Sequence, residues 1–304
     1  MLVVAALGGN ALLRRGEPLT AEAQRANVAT AALSLAQIVE AGHQLVVTHG
    51  NGPQIGLLAL QGAAYKPDEV FPLDVLGAET DGMIGYLIEQ ELENALGHDR
   101  AVATLLTQIE VDPKDPAFSN PTKFIGPVYN RAEAERLAQA RGWSIAADGA
   151  HWRRVVASPM PMNIPDLRVL QLLLQNDVTL ICAGRGGIPV VRIPDGSLIG
   201  IEAVIDKDHA TALLAHKLNA DALLLLTDVE AVFRDFGTKA QSPIHRITPQ
   251  DAARLDLPGG SMAPKVIAGA TFVSGQDRFA RIGRLQDALA MLEGGAGTLI
   301  ANER

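Results

Sequence analysis

Two lysines sit where the electrostatics of a helix argue against them. In EAVIDKDHATALLAHKL, residues 202–218, an apolar run breaks at Asp206-Lys207-Asp208 and a helical pattern starts at once. Asp208 is a favoured N-cap, but Lys207 opposes the helix macrodipole by about 0.3–1 kcal/mol. In PGGSMAPKVIAGATF, residues 258–272, Pro264 suits the first turn of a helix and leaves a second cation, Lys265, near an N-terminus. Either lysine alone reads equally well as part of a solvated charged turn. Together they point to phosphate chemistry, because a bound polyphosphate between them converts both penalties into attractions.

Three glycine-bearing turns after apolar runs point the same way: LGGNAL (7–12), THGNGPQIG (48–56) and CAGRGGIP (182–189). Glycine lets backbone N–H groups approach an anion closely, and in an open parallel sheet such turns collect at the carboxyl ends of the strands. Familiar phosphate strings are missing: there is no G-x-x-x-x-G-K-[ST] and no H-R-D. GNGPQIG spaces its glycines GxGxxxG, and the acid about 20 residues on, Asp74, falls in the proline-flanked FPLDVLG, so a dinucleotide fingerprint fits poorly. Histidines show no metal-ligand spacing. His49 adjoins a glycine turn and reads as a local hydrogen-bonding group, while His209 and His216 read as solvent-facing.

The elements that must position these residues alternate. Leu2 to Leu7 reads as a buried strand; Val28, Ala32, Leu35 and Val39 mark a helix closed by Gly42; Gln44 to Thr48 is a second strand. Ile84, Ile88, Leu92 and Ala95 stripe another helix, and residues 101–111 read as one strand. The rhythm breaks between Asp112 and Pro165, where four prolines precede a short helix, Arg131 to Arg141, and strand-like pieces around Trp143 and Val155. It resumes with a helix near Asp166 to Gln175 and the strand VTLICAG. Then come the buried strand 220–228, the N-cap Thr248-Pro249, a helix from Met262 to Val273, the strand FARIG, a last helix and TLIA as an edge strand. The expected fold is α/β: a three-layer αβα sandwich around a mainly parallel open sheet, with a small protruding subdomain inserted at 112–165.

Composition bounds the partners. The 304 residues are 48% hydrophobic and carry a net charge of −8, which argues against nucleic-acid or membrane-surface binding but not against anions in a local basic pocket. The single cysteine, Cys182, lies in an apolar run and reads as a structural thiol. No run reaches the roughly 18–20 apolar residues a membrane span needs, and MLVVAALGGN lacks a signal-peptide pattern, so a cytoplasmic setting is expected.

With these residues assembled, the chain resembles the carbamate kinases of the amino-acid kinase family nearly end to end. The motifs are ALGGNAL, HGNGPQIG, GMIGY, NPTKFIGP, RRVVASP, GGIPV, EAVIDKD, LLTD and GSMAPK, in family order. The resemblance implies reversible phosphoryl transfer between ATP and carbamate, giving ADP and carbamoyl phosphate. It also implies magnesium accompanying the nucleotide with no protein metal ligand, and a homodimer. One domain, 1–304, would comprise a substrate-binding half (1–200) and a nucleotide-binding half (201–304).

By the same resemblance Lys207 and Lys265 would hold the moving phosphoryl group, with Asp208 orienting them, and Lys123 would reach over the substrate from the insertion. Gly8, Gly9, Asn10, Gly50, Asn51 and Gly52 would surround the acceptor. Asp206, Thr227, Asp228, Met262 and Lys265 would face the nucleotide.

Two positions depart from the pattern: Asp81 stands where glutamine is common, and Arg185 where glycine is usual. Asp81 needs to face away or be paired. Arg185 either clamps a phosphate bidentately or points to solvent. Both leave open a sibling kinase that forms a different acyl phosphate. A non-catalytic nucleotide-binding subunit is a third reading, opposed by the joint retention of Lys123, Lys207, Asp208 and Lys265.

Overall fold

The structure, a computed structural model, describes all residues except 10, 11, 14–16, 19, 67–70, 258–260 and 304, together with the side chain of Pro53. The chain opens with β1 (Leu2–Leu7), α1 (Ala21–Glu40) and β2 (Gln44–His49), followed by the helices α2 (Gly52–Tyr65) and α3 (Leu73–Leu96). β3 (Val102–Leu105) and β4 (Gln108–Val111) precede β5 (Lys123–Tyr129), α4 (Arg131–Arg141), β6 (Ser144–Asp148), β7 (His151–Val156) and β8 (Pro161–Asn163). Next come α5 (Leu167–Leu174), β9 (Thr179–Cys182), β10 (Ile188–Arg192), β11 (Leu198–Gly200) and α6 (Lys207–Lys217). β12 (Ala222–Thr227), β13 (Val232–Arg234), β14 (Ser242–Ile244), β15 (Arg246–Ile247) and α7 (Pro249–Ala252) follow. The chain closes with α8 (Met262–Val273), β16 (Phe279–Arg284), α9 (Ala288–Leu292) and β17 (Thr298–Ile300).

An eight-stranded sheet, in the order β15-β17-β16-β12-β1-β2-β9-β3, forms the middle layer. All its pairings are parallel except β16–β17. Alternation along each strand feeds two cores. In β1, Val4 and Ala6 face one side with residues of α5, α6 and α8, while Val3, Ala5 and Leu7 face the other with residues of α1, α3 and α9. Both faces are covered, which is why these strands are apolar throughout rather than alternating. The expected αβα sandwich is the observed one. No helix among the described residues is long and apolar enough to cross a membrane.

Two strand expectations need correction. Residues 101–111 are two strands in different sheets: β3 pairs with β9 in the large sheet, whereas β4 pairs with β10 in a four-stranded sheet, β11-β10-β4-β8. The switch falls at Thr107, whose hydroxyl donates to the Leu105 carbonyl at 3.0 Å and accepts from the Ala183 N–H at 3.1 Å. TLIA is not at the edge either. β17 lies between β16 and the two-residue β15, which ends the sheet.

Within 112–165, β5, β7 and β6 form an antiparallel sheet backed by α4. Ile125 of β5 and Val156 of β7 pack with Ile55, Leu73, Leu76 and Val204 in a third apolar cluster that seats this sheet on α2 and α3. β8 leaves it to pair with β4.

Candidate functional site

The N-terminus of α6 resolves the crowding of charges at 206–208. Asp206, not Asp208, is the N-cap, its Oδ1 accepting from the N–H groups of Asp208 at 3.0 Å and His209 at 3.4 Å. Both acids are good caps by type; the cap one residue earlier puts Asp208 inside the first turn with its side chain free for another task. That task is to bridge the two lysines. Lys207 Nζ donates to Asp208 Oδ1 at 2.7 Å, and Lys265 Nζ, from the first turn of α8, donates to Asp208 Oδ2 at 3.0 Å.

Burial alone would push the Asp208 carboxyl up, but the two ammonium groups overcome it and bring it down to about 2. Burial pulls Lys207 below the usual lysine range, with the Asp208 carboxylate opposing. The unit is two cations sharing one anion, so it carries a net positive charge.

The three residues line a cavity of about 650 Å³ at the carboxyl ends of the parallel strands, together with Gly9, Gly50, Asn51, Gly52 and Asp206. Gly9 and Gly50 lie side by side; a Cβ on Gly50 would stand 3.6 Å from the Gly9 Cα. Lys123, at the start of β5, enters from the opposite side, its Nζ bonded to Asp206 Oδ2 at 2.7 Å. Asp206 therefore ties β5 to α6 while capping the helix, and Lys123 outweighs its burial so that its carboxyl is held below the usual range. Asn51 and Ser261, which flank the first turns of α2 and α8, make no side-chain capping bonds, so both helices present N–H groups toward the cavity.

Other expected residues stand outside the cavity lining. Gly8 packs against β12, where a Cβ would come within 2.9 Å of the Leu226 carbonyl. Thr227 and Asp228 lie beside it at the end of β12, the Thr227 hydroxyl donating to Asp228 Oδ1 at 3.2 Å. Met262 is half-buried against the apolar core beneath α8. Asn10 lies outside the described residues.

Comparisons with known proteins give this geometry a family. The profile described as the amino acid kinase family matches residues 1–283. A carbamate kinase of Rhizobium meliloti is 55% identical, over 99% of this chain and 94% of its own. One from Haemophilus influenzae is 52% identical over 100% and 97%. The chain belongs to the amino acid kinase family. Among solved structures, a carbamate kinase from Giardia lamblia bound to AMP-PNP superposes with a TM-score of 0.92 at 38% identity, over 99% of this chain and 98% of that one.

In this amino acid kinase the wall beside Asn51 is built with residues of α3. Asn51 Nδ2 donates to Thr80 Oγ1 at 2.5 Å and to Asp81 Oδ1 at 2.9 Å, so α3 fixes the orientation of the amide. Asp81 is buried and held, and burial raises its carboxyl well above the usual range against the opposing pull of Arg185. Arg185 does not reach solvent: it is 5% exposed and lines the cavity. Arg153, on β7, lines it too, bonded to the Gly126 carbonyl at 2.9 Å and to Asp148 at 3.1 Å. Its signal was the RRVVASP motif.

His49 is buried beneath the wall, bonded to the Gly50 carbonyl at 3.3 Å, and burial lowers its pKa to about 4. His209 is half-buried with its ring on Met160, and His216 is exposed beside Arg278.

The family resemblance implies magnesium, and the donor set bears on it. No group of three or more His, Cys, Asp or Glu residues converges among the described residues, and the cavity carboxylates of Asp206 and Asp208 are already engaged by ammonium groups. These residues do not make a protein cage for the ion. Magnesium often binds through substrate phosphates and water instead.

Proposed function

We propose that the chain is a carbamate kinase, moving a phosphoryl group reversibly between ATP and carbamate and working toward ATP in catabolism. The observation that carries the reading is the Lys207–Asp208–Lys265 unit on the wall of a cavity shared with the glycine turns. The likeness to carbamate kinases over the full chain supports it.

The chemistry needs little beyond placed charge. In the ATP-forming direction the P–O bond to the carbamoyl oxygen breaks and one forms to a terminal phosphate oxygen of ADP, through a loose transition state with charge spread over the moving group. Carbamate leaves as a stable anion, and in reverse its carboxylate attacks already deprotonated, so neither direction requires a general acid or base. None of the described lining residues is a histidine, in keeping with that requirement. Lys207 and Lys265 would neutralise the transferring oxygens, and Asp208 would hold the two like charges at a fixed spacing beforehand. Such preorganised donors typically contribute about 10²–10³ in rate each.

Gly9, Gly50, Asn51 and Gly52, with the N-terminus of α2, would surround the acceptor. Gly8 and Asn10 belong to the same sequence motif, LGGNAL. The half from 201 onward, with Asp206, Thr227, Asp228 and Met262, would face ATP or ADP, and magnesium would arrive on the nucleotide's phosphates. The AMP-PNP of the Giardia relative supports an adenine nucleotide there.

The insertion 112–165 would act as a cover, with Lys123 closing the acceptor off from water. Lys123→Ala is expected to raise KM for carbamoyl phosphate, and unchanged turnover and affinity would rule that role out. A homodimer in the cytoplasm belongs to the same proposal.

Coupled assay of ATP formed from carbamoyl phosphate and ADP, run beside acetyl phosphate and ADP, tests the reading. ATP from carbamoyl phosphate is expected. ATP from another acyl phosphate alone would move the chain to a sibling kinase, and ATP from none would leave a nucleotide-binding protein.

A further inference from the structure

Arg185 is a buried cation without an ion-pair partner among the described residues. Its Nη2 donates to the Ala203 carbonyl at 3.1 Å; Nε and Nη1 are buried with no hydrogen-bond partner. Burial lowers its pKa to about 10 against the through-space pull of Asp81, Glu202 and Asp74, none of which reaches it as a salt bridge, so it is charged at neutral pH. Leaving a charged group unpaired in the interior costs several kcal/mol, which makes it a poor structural filler. The loop also holds it at some expense: Arg185 has φ 59°, left-handed for a residue with a Cβ, within a turn whose Gly186 could not carry one without meeting the Ile205 carbonyl at 2.6 Å.

The guanidinium runs over α3 at Gly77, where a Cβ would stand 3.5 Å from Nη1. Asn51, on the same cavity, has the complementary deficit. Its Nδ2 is spent on Thr80 and Asp81, and its Oδ1 is buried without a donor. Two residues that line one cavity thus carry buried unsatisfied donors and a buried unsatisfied acceptor. A small planar carboxylate bearing an N–H group answers both.

We propose that Arg185 binds the acceptor's carboxylate oxygen that is not phosphorylated, while Asn51 Oδ1 takes its N–H, so that the pair selects small amino-substituted carboxylates. This rests on the carbamate kinase reading and adds a specificity residue to it. Asp81 is a positioning residue: through Asn51 Nδ2 it keeps Oδ1 turned to the ligand. The rival explanation is that Arg185 only balances the Asp81 charge.

Kinetics of ATP formation separate the two. R185A is expected to raise KM for carbamoyl phosphate about 10- to 100-fold, the range of a hydrogen bond to a charged group, with KM for ADP unchanged. R185K is expected to recover part of the loss, because an ammonium cannot fork across a carboxylate. R185M, which keeps the aliphatic packing, reads the same quantity if R185A folds poorly. The double variant D81N/R185A is expected to stay as weak as R185A. An unchanged KM in R185A and R185M, or recovery in D81N/R185A, would overturn the proposal and leave the kinase reading intact. If the wild type makes ATP from a different acyl phosphate alone, the carbamate reading falls, and the same variants assayed with that donor decide the role of Arg185. A wild type inactive with every acyl phosphate overturns both.

Discussion

Two charged regions share the cavity, and they are finished to different degrees. Around Asp208 each carboxylate oxygen has its own ammonium, so three buried charges stand in place with their hydrogen bonds made. Around Arg185 and Asn51, in the lining of the same cavity, donors and an acceptor are buried without partners. The first arrangement is preorganised: its geometry is maintained by internal pairing and is ready for charge that develops in a transition state. The second is complementary to something not part of the chain. A phosphoryl-transfer site needs both kinds of wall, one that exists before the ligand and one that only the right ligand completes.

Removing the shared anion is expected to have the largest effect on stability. Asp208→Ala leaves two buried ammonium groups facing each other, and breaking a buried ion pair from one side typically costs about 3–5 kcal/mol, readable by urea unfolding. A loss near zero would mean the lysines simply swing to solvent.

The wall beside Asn51 responds to pH through His49. His49 has a folded pKa of about 4 against 6.5 for the free side chain, so between those values the unfolded chain binds a proton that the folded one refuses. Stability therefore rises with pH across that window and is lost as pH falls. From about pH 7 to pH 5 the loss from His49 is about 2 kcal/mol. Asp81, with its raised carboxyl, contributes with the opposite sign, so the measurement is the difference between wild type and His49→Asn in urea midpoints at the two pH values. Identical pH dependence in both would show that His49 is protonated in the fold.

A substitution touching neither wall sets the floor. Thr20 caps α1, its Oγ1 accepting from the Ala23 N–H at 3.3 Å, and α1 packs on the face of the sheet opposite α6 and α8. Thr20→Ala is expected to cost about 1 kcal/mol and to leave kcat and both KM values alone. A kinetic change there would mean that stability, not site geometry, governs the other results.

Much of this was legible before the structure. β1, the Thr248 cap and the limits of α8 follow from apolar runs, a cap residue with proline at the first helical position, and helical spacing. The two lysines were visible as electrostatic misfits. That they meet depends on the order of the strands, which places the ends of β12 and β1 together and brings α6 against α8. The split of residues 101–111 was not legible, because strand-forming residues run on through the break at Thr107 and the bonds that fix it come from Asp166 and Ala183, far along the chain. Nor was the capping choice between Asp206 and Asp208, two residues of one type two positions apart. Arg185 was ambiguous for a related reason. An arginine among glycines fits an exposed turn as well as an anion clamp, and only its burial removes the first.

The pairing of Lys207 and Lys265 across Asp208 is tested most directly by kcat for ATP formation from carbamoyl phosphate and ADP in Lys207→Ala, Lys265→Ala and the double variant. Each single change is expected to lower kcat by about 10²–10³, and the double change by less than the product, because the residues act as one unit. Either single variant turning over at the wild-type rate would contradict the account.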